Sequence, residues 1–225
     1  QARFEEAVKR VLRLKCQLGL LDPSAKLYEE GHISFDTPEE RALSYTLATQ
    51  SVVLLRNDGV LPLSKPARIA LVGPNANSMW AMLGDYTYHS MRYFWQREYE
   101  DDMHPRIVNL KDGLTNRIPQ GSTLEYSRGC DWTDVVETVI EDGGDARAAY
   151  MKSIQDRKVN SGEQADWKQS IEMASKCDVI IAAMGENVML CGENRDRTSL
   201  RLPGLQEEFV KQLIATGKPV VLVLF

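Results

Sequence analysis

Residues 177–205 constrain the fold more than any other part of the chain, because a strand, a charged loop and a helix are predicted there in succession. Val179–Met184 is an unbroken apolar run ended by Gly185, which is typical of a strand covered on both faces. Pro203 is predicted to open an amphipathic helix whose apolar face carries Leu205, Phe209, Val210, Leu213 and Ile214. Sites in open α/β sheets lie where strands end, so the intervening loop is a candidate site.

Three more segments have the composition of strands. They are residues 68–72, the weaker 123–126 and the apolar run at 219–225, and residues 178–184 complete the set. Helical or long irregular segments separate all four. This alternation predicts an α/β fold, with a mostly parallel sheet and helices on both of its faces.

The N-terminal part contains two predicted helices. Residues 1–18 have apolar side chains at helical spacing, and Gly19 is placed to end that helix. Residues 22–34 are polar and carry Pro and Gly without any period, which indicates a linker. The motif TPEE at residues 37–40 combines an N-cap, a proline at the first helical position and a capping box, so a second helix is predicted to run to about Arg56.

Composition excludes several classes of protein. Of the 225 residues, 43 % are hydrophobic and 26 % are charged, as in an ordinary globular protein. The formal net charge of -5 argues against nucleic acid as the main partner. We find no segment with the roughly 18 apolar residues that a membrane span needs. The chain begins without Met and stops inside a predicted strand, which indicates a piece of a longer polypeptide.

The cysteines and histidines give little sign of a metal site. Cysteine spacing matches no zinc pattern, and free thiols in or near the core are predicted for Cys16, Cys130, Cys177 and Cys191. The alternative is a disulfide bond from Cys191, which would fix the loop close to Glu193. The histidines, His32, His89 and His104, are far apart in sequence. The turn after residue 72 lacks the pattern of a phosphate loop. We therefore predict no metal and no cofactor.

Residues 84–109 form an irregular, aromatic-rich segment. Long ordered loops are often functional, so the aromatic side chains could line a ligand site, but they could equally anchor the loop on the core. Tyr86 and Trp95 are the candidate substrate contacts in this segment.

The loop after Gly185 carries several ionisable residues. A general acid must hold a proton near neutral pH, which partial burial favours and a nearby cation opposes. Local evidence alone favours a surface ion-pair loop over a catalytic one. The charged residues are Glu186, Glu193, Arg195, Asp196 and Arg197.

Four stretches of the sequence resemble glycoside hydrolase family 3, the β-glucosidase and exo-glucanase type. In chain order they are ATQSVVLLRN at 48–57 with LPL at 61–63, IALVGPNA at 69–76 with LGDY at 83–86, YSRGCD at 126–131, and residues 185–197 with SLRLPGLQ at 199–206. Each stretch is modest by itself. Their order and spacing are specific.

The resemblance implies a two-domain catalytic unit that hydrolyses terminal β-linked sugars with two carboxylates and retention. Residues 1–20 would be the last helix of a preceding TIM-like barrel, 21–36 a linker, and 37–225 an incomplete (α/β)6-sandwich domain. The nucleophilic Asp would lie in the missing barrel. The resemblance also favours a periplasmic or secreted protein.

The resemblance assigns the acid/base role to Glu193, with Glu186 as the runner-up. Asp196 and Arg197 would brace the loop through ion pairs. The partners would be an oligosaccharide or β-glucoside and the barrel of the same polypeptide. Two alternatives stay open, a carbohydrate-binding or interaction module of the same fold without catalysis, and an α/β domain that binds a small ligand.

Overall fold

The computed structural model describes residues 1–24, 31, 34, 36–84, 86–88, 90–91, 107–132, 166–187, 190, 192 and 197–225. The chain forms two compact units, Gln1–Arg56 and Asn57–Phe225. No helix in the described part is long and apolar enough to cross a membrane.

The first unit contains helices α1, Ala2–Gln17, and α2, Pro38–Ser51. Helix α1 has the predicted extent, and Gly19 follows it with a φ of 70°. Its apolar residues are exposed, with Phe4 at 73 %, and none of its residues is buried. The helix thus presents an apolar stripe without a core of its own.

Helix α2 begins as predicted and ends early. Its capping box is complete, since the Glu40 N–H donates to Thr37 Oγ1 and the Thr37 N–H donates to the Glu40 carboxylate. The predicted continuation to about Arg56 is wrong, because Val52 is already extended with φ -73° and ψ 123°. Two successive β-branched residues, Val52 and Val53, restrict χ1 in a helix and favour this extended backbone.

The second unit contains a four-stranded parallel sheet of order β2-β1-β3-β4. The strands are β1, Arg68–Val72, β2, Thr123–Ser127, β3, Val179–Met184, and β4, Val220–Leu224. Every predicted strand is present. The two apolar runs, β1 and β3, occupy the centre, where Leu71 lies opposite both Tyr126 and Ile181.

Helices cover both faces of the sheet, which confirms the predicted fold class. A 3-10 turn, Trp80–Met82, and helix α3, Leu110–Thr115, follow β1, and helix α4, Trp167–Ser175, precedes β3. Helix α5, Gln206–Ala215, connects β3 to β4. One face of the sheet packs on Phe209 and Leu213 of α5, and the other packs on Leu110 and Leu114 of α3.

Helix α5 differs from its prediction in start and in face. It begins at Gln206, because Gly204 has a φ of 57° and turns the chain between Pro203 and the helix. Leu205 and Ile214 are 49 % and 58 % exposed, although both were predicted to face the core. The buried face carries Gln206, Phe209, Val210 and Leu213.

The turn after β1 approaches β3 closely. Gly73 has a φ of 114°, and a Cβ at this position would lie 2.1 Å from the carbonyl oxygen of Ala183. The Ala183 oxygen belongs to the backbone and cannot move aside as the end of a flexible side chain could. The contact therefore leaves no room for any residue except glycine.

We expect Gly73→Ala to destabilise the second unit by at least about 3 kcal/mol, since backbone strain and steric overlap add together. The matched control is Gly59→Ala, because Gly59 has a φ of 92° and no atom lies within 4 Å of the place that a Cβ would take. That control should cost only the strain, roughly 1–2 kcal/mol. Urea unfolding of the two variants measures the difference, and equal losses would contradict the close approach.

Candidate functional site

The candidate site lies at the carboxyl edge of the sheet, where β1, β2 and β3 end. Backbone hydrogen bonds join these strand ends. The Gly73 N–H donates to the Arg128 carbonyl at 3.0 Å, and the Asn75 N–H donates to the Ala183 carbonyl at 3.3 Å. The residues that follow the three strands are therefore held together at one edge, as expected for a site in an open α/β sheet.

Asn75 connects the turn after β1 to the loop after β3. The side chain is fully buried, and its Nδ2 donates to the Glu186 carbonyl at 2.9 Å. Its Oδ1 accepts a hydrogen bond from Trp132 Nε1. Both ends of the carboxamide are thus satisfied, which a buried amide requires.

Gln206 at the start of α5 contacts the same loop. Its Oε1 accepts from the Gly185 N–H at 2.8 Å, and its Nε2 donates to the Gly185 carbonyl at 2.9 Å and to the Trp132 carbonyl at 3.1 Å. The residue is fully buried. Sequence reasoning missed it, although a glutamine on the buried face of an amphipathic helix is a detectable signal.

A buried cation lies beside this network. Arg128 pairs with Asp131 at 2.7 Å, and its guanidinium lies 4.7 Å from the centre of the Trp132 ring. Its side chain is only 3 % exposed, so the carboxylate and the ring replace the water that the charge has lost. The Arg128 contact holds the indole that donates to Asn75.

Glu186 and Arg197 form an ion pair across the loop. Glu186 Oε1 lies 2.7 Å from Arg197 Nε, and the side chains are 26 % and 32 % exposed. Arg197 Nη2 also donates to the Arg201 carbonyl at 2.8 Å. Arg197 therefore links the end of β3 to the segment that leads into α5.

A second pair follows in that segment. Arg201 Nε donates to the carboxylate of Glu207 at 3.0 Å. This hydrogen bond from Arg201 lowers the pKa of Glu207 and is the main cause of the shift. The pair lies on the surface, where its contribution to stability is small.

The other predicted site residues are distributed as follows. Tyr86 is described and is 67 % exposed. Glu193, Asp196, Trp95 and Cys191 lie outside the described residues, as do the three histidines. Within the described part of the chain, no group of three or more His, Cys, Asp and Glu side chains could hold a metal ion.

Three cysteines are described, and all three are free thiols. Cys130 and Cys177 are buried, as predicted. Cys16 is exposed on α1, so the prediction that it lies in or near the core is wrong. Burial raises the pKa of Cys130 to about 12, and the Asp131 carboxylate adds to that rise. Burial is also the main cause of a raised pKa at Cys177.

The sequence and the fold both match known proteins. A model of the glycosyl hydrolase family 3 C-terminal domain matches residues 52–225. The chain belongs to glycosyl hydrolase family 3. The resemblance stated from the sequence is thereby confirmed.

Two curated relatives from this family cover nearly the whole chain. A β-xylosidase from Formosa agariphila is 28 % identical over 98 % of this chain, and a periplasmic β-glucosidase from Salmonella typhimurium is 29 % identical over 99 %. The matched region is 26 % and 28 % of their lengths. The chain therefore spans about a quarter of the length of these family 3 relatives.

Solved structures of family 3 share the fold. A β-glucosidase involved in saponin metabolism from intestinal bacteria matches with a TM-score of 0.70 and 29 % identity, over 98 % of this chain and 29 % of that one. A β-glucosidase from Listeria innocua in complex with isofagomine matches with a TM-score of 0.64 and 26 % identity, over 98 % and 25 %.

We expect a double-mutant cycle with Glu186→Gln and Arg197→Gln to give a coupling energy of about 1 kcal/mol in urea unfolding, because the pair is partly buried. The coupling should fall at high salt, which screens the charges. The matched control is the exposed pair of Lys211 and Glu208 on α5, 3.4 Å apart, which should show little coupling. Equal coupling in the two pairs would contradict a bracing role for Arg197.

We also expect alkaline pH to destabilise the native protein through Cys130. Its pKa is about 12 in the folded protein and roughly 8.5 in the unfolded chain. The contribution of this thiol to the free energy of unfolding is therefore complete below the unfolded pKa and is lost as the pH rises towards 12. Between pH 7 and pH 10 the loss should be about 2 kcal/mol. Cys130→Ala should remove this part of the loss in urea unfolding. The control Cys16→Ala removes an exposed thiol and should leave the pH-dependent loss of stability unchanged. If Cys130→Ala showed the same pH dependence as the unaltered protein, the loss would not come from Cys130.

Proposed function

We propose that this chain is the acid/base-bearing part of a β-glycoside hydrolase that removes terminal β-linked sugars with retention. The observation that carries the proposal is the family match over residues 52–225, which includes the loop at the carboxyl end of β3. Both curated relatives described above are named as hydrolases of this kind, one as a β-xylosidase and one as a β-glucosidase.

The proposal includes a division of the polypeptide. Residues 1–20 end a TIM-like barrel, 21–36 link the domains, and 37–225 belong to an (α/β)6-sandwich domain. The relatives are about four times as long as the matched region, which leaves room for a barrel that carries the nucleophilic Asp. The exposed apolar stripe of α1 supports this division, because a helix at the end of a barrel would pack on the barrel.

The proposed acid/base residue is Glu193. In the first step the nucleophilic Asp attacks the anomeric carbon, and the Glu193 carboxyl gives its proton to the departing oxygen. In the second step the Glu193 carboxylate takes a proton from water, which attacks the same carbon and releases the Asp. In retaining enzymes the two carboxyl groups lie about 5–5.5 Å apart.

The ion pair of Glu186 supports Glu193 over Glu186. Glu186 is already engaged in an ion pair, with its Oε1 2.7 Å from Arg197 Nε, whereas a general acid has to be available to the departing oxygen. Its backbone is also held on both sides, since its N–H donates to the Phe225 carbonyl and its own carbonyl accepts from Asn75. We therefore assign Glu186 a structural role at the start of the loop. Arg197 and Asp196 are the residues proposed to brace the loop.

Substrate contacts from this chain are proposed for the aromatic segment. Tyr86 is 67 % exposed, so its ring has surface for stacking on a sugar. Trp95 is the second proposed contact. The substrate class is a β-glucoside or β-xyloside, and the rest of its pocket belongs to the barrel.

We expect Glu193→Ala in the complete polypeptide to lower kcat by at least about 10²-fold for an alkyl β-glycoside, because such a leaving group needs a proton. A dinitrophenyl β-glycoside needs none for departure, so its bond cleavage should be affected much less. Added azide should restore part of its turnover by replacing the water that Glu193 activates. Steady-state kinetics with both substrates measures these effects.

Glu186→Gln is the matched control. It weakens the ion pair with Arg197 but leaves the acid in place, so it should show a smaller leaving-group dependence than Glu193→Ala and no azide rescue. If Glu186→Gln showed the larger dependence and the rescue instead of Glu193→Ala, the acid/base role would pass to Glu186. If the complete polypeptide bound oligosaccharide but hydrolysed no β-glycoside, a module without catalysis would replace the proposal.

A further inference from the structure

The carboxamide of Gln206 replaces a strand neighbour that is missing beside Gly185. On one side of β3, the Phe225 N–H donates to the Met184 carbonyl, and the Phe225 carbonyl accepts from the Glu186 N–H. In a strand, alternate residues point their polar backbone groups to opposite sides, so the N–H and C=O of Gly185 face the other way. There β1 has already ended at Val72.

Gln206 satisfies both of these groups at once. Its Oε1 accepts from the Gly185 N–H at 2.8 Å while its Nε2 donates to the Gly185 carbonyl at 2.9 Å. The remaining Nε2 proton reaches the Trp132 carbonyl at 3.1 Å. The side-chain oxygen and both amide protons thus have partners, and a leucine of similar size would remove a partner from three backbone groups, the Gly185 N–H, the Gly185 carbonyl and the Trp132 carbonyl.

The next peptide is fixed by the same network. Asn75 Nδ2 donates to the Glu186 carbonyl at 2.9 Å, and its Oδ1 accepts from the indole of Trp132. Trp132 in turn accepts from Gln206. Two carboxamides, one from the turn after β1 and one from α5, therefore hold successive peptides at the point where the chain leaves the sheet.

Gly185 fits this arrangement because of its backbone. Its φ is 133°, a value that side-chain-bearing residues rarely adopt, and a Cβ there would lie 2.3 Å from the Phe225 carbonyl oxygen. The chain thus leaves β3 by a conformation that depends on external partners, and those partners are Gln206, Asn75 and Phe225.

We propose that Gln206 is a positioning residue for proton transfer, because it fixes the Gly185 peptide from which the chain continues to Glu193. The proposal rests on the proposed function, because it needs an acid/base residue in that loop. Gln206 itself does not touch the substrate. Its effect reaches the chemistry only through the placement of the loop.

Placement of a general acid has a specific kinetic signature. A misplaced acid impairs the departure of a leaving group that needs a proton and spares one that does not. A displacement of about 1 Å can cost about 10²-fold in rate. A loss of folded enzyme lowers both rates by the same factor, so the ratio of kcat/KM for two substrates separates placement from folding.

The test compares Gln206→Leu with the unaltered complete polypeptide on an alkyl and a dinitrophenyl β-glycoside. We expect kcat/KM for the alkyl substrate to fall about 10- to 100-fold further than that for the dinitrophenyl substrate. Asn75→Asp keeps an acceptor for Trp132 and loses the donor to Glu186. It should shift the ratio in the same direction, and it serves as the second variant if Gln206→Leu does not fold.

Gln212→Leu is the matched control. Gln212 lies on the same helix and accepts from Trp167 Nε1 at 3.0 Å, but it makes no contact with Gly185 in the described structure. The ratio of kcat/KM for the two substrates in Gln212→Leu should equal that of the unaltered enzyme. Glu193→Ala supplies the reference, because it removes the acid itself.

Two results would overturn the proposal in different ways. If Glu193→Ala changes the ratio and neither Gln206→Leu nor Asn75→Asp does, the positioning role is wrong and the proposed function stands. If Glu193→Ala leaves the ratio unchanged, the assignment of the acid/base role to Glu193 fails, and the positioning role fails with it.

Discussion

The pairing of β1 with β3 is the contact on which the rest of the second unit depends. Both strands are apolar on both faces, so each must be central and must be covered by helices on two sides. The turn after β1 then crosses so near to Ala183 that only glycine fits at position 73. That close approach brings Asn75 over the end of β3 and so creates the polar edge at which the candidate site lies.

Ending β1 before β3 has a further consequence. The last residues of β3 and the first of the loop lose a neighbour on one side, and their backbone groups are buried and polar. An unpaired buried peptide is costly, so the gap has to be filled by side chains with the hydrogen-bonding pattern of a peptide. Carboxamides have that pattern, which explains why two polar side chains, Asn75 and Gln206, are fully buried at this edge.

Sequence patterns predicted the sheet because its central strands are long enough and apolar enough to leave few alternatives. They failed at element ends, where local conformation decides. Val52 and Val53 ended α2 early, and the left-handed Gly204 delayed α5. The charged pair of Glu186 and Arg197 lay within one recognisable loop. Asn75 and Trp132, by contrast, are 57 positions apart, and nothing in either local sequence indicates their hydrogen bond.

The buried polar groups at this edge also select one direction for the backbone where it leaves β3. A core of leucines would stabilise the base of the loop without fixing one direction for it, because apolar contacts have little directional preference. Hydrogen bonds from Gln206 and Asn75 are satisfied by one arrangement of the Gly185 and Glu186 peptides. Such a fixed exit from the strand is of little use to a surface loop that only carries ion pairs. It is what a loop requires if it must deliver one proton-transfer group to a site whose other carboxylate belongs to a different domain.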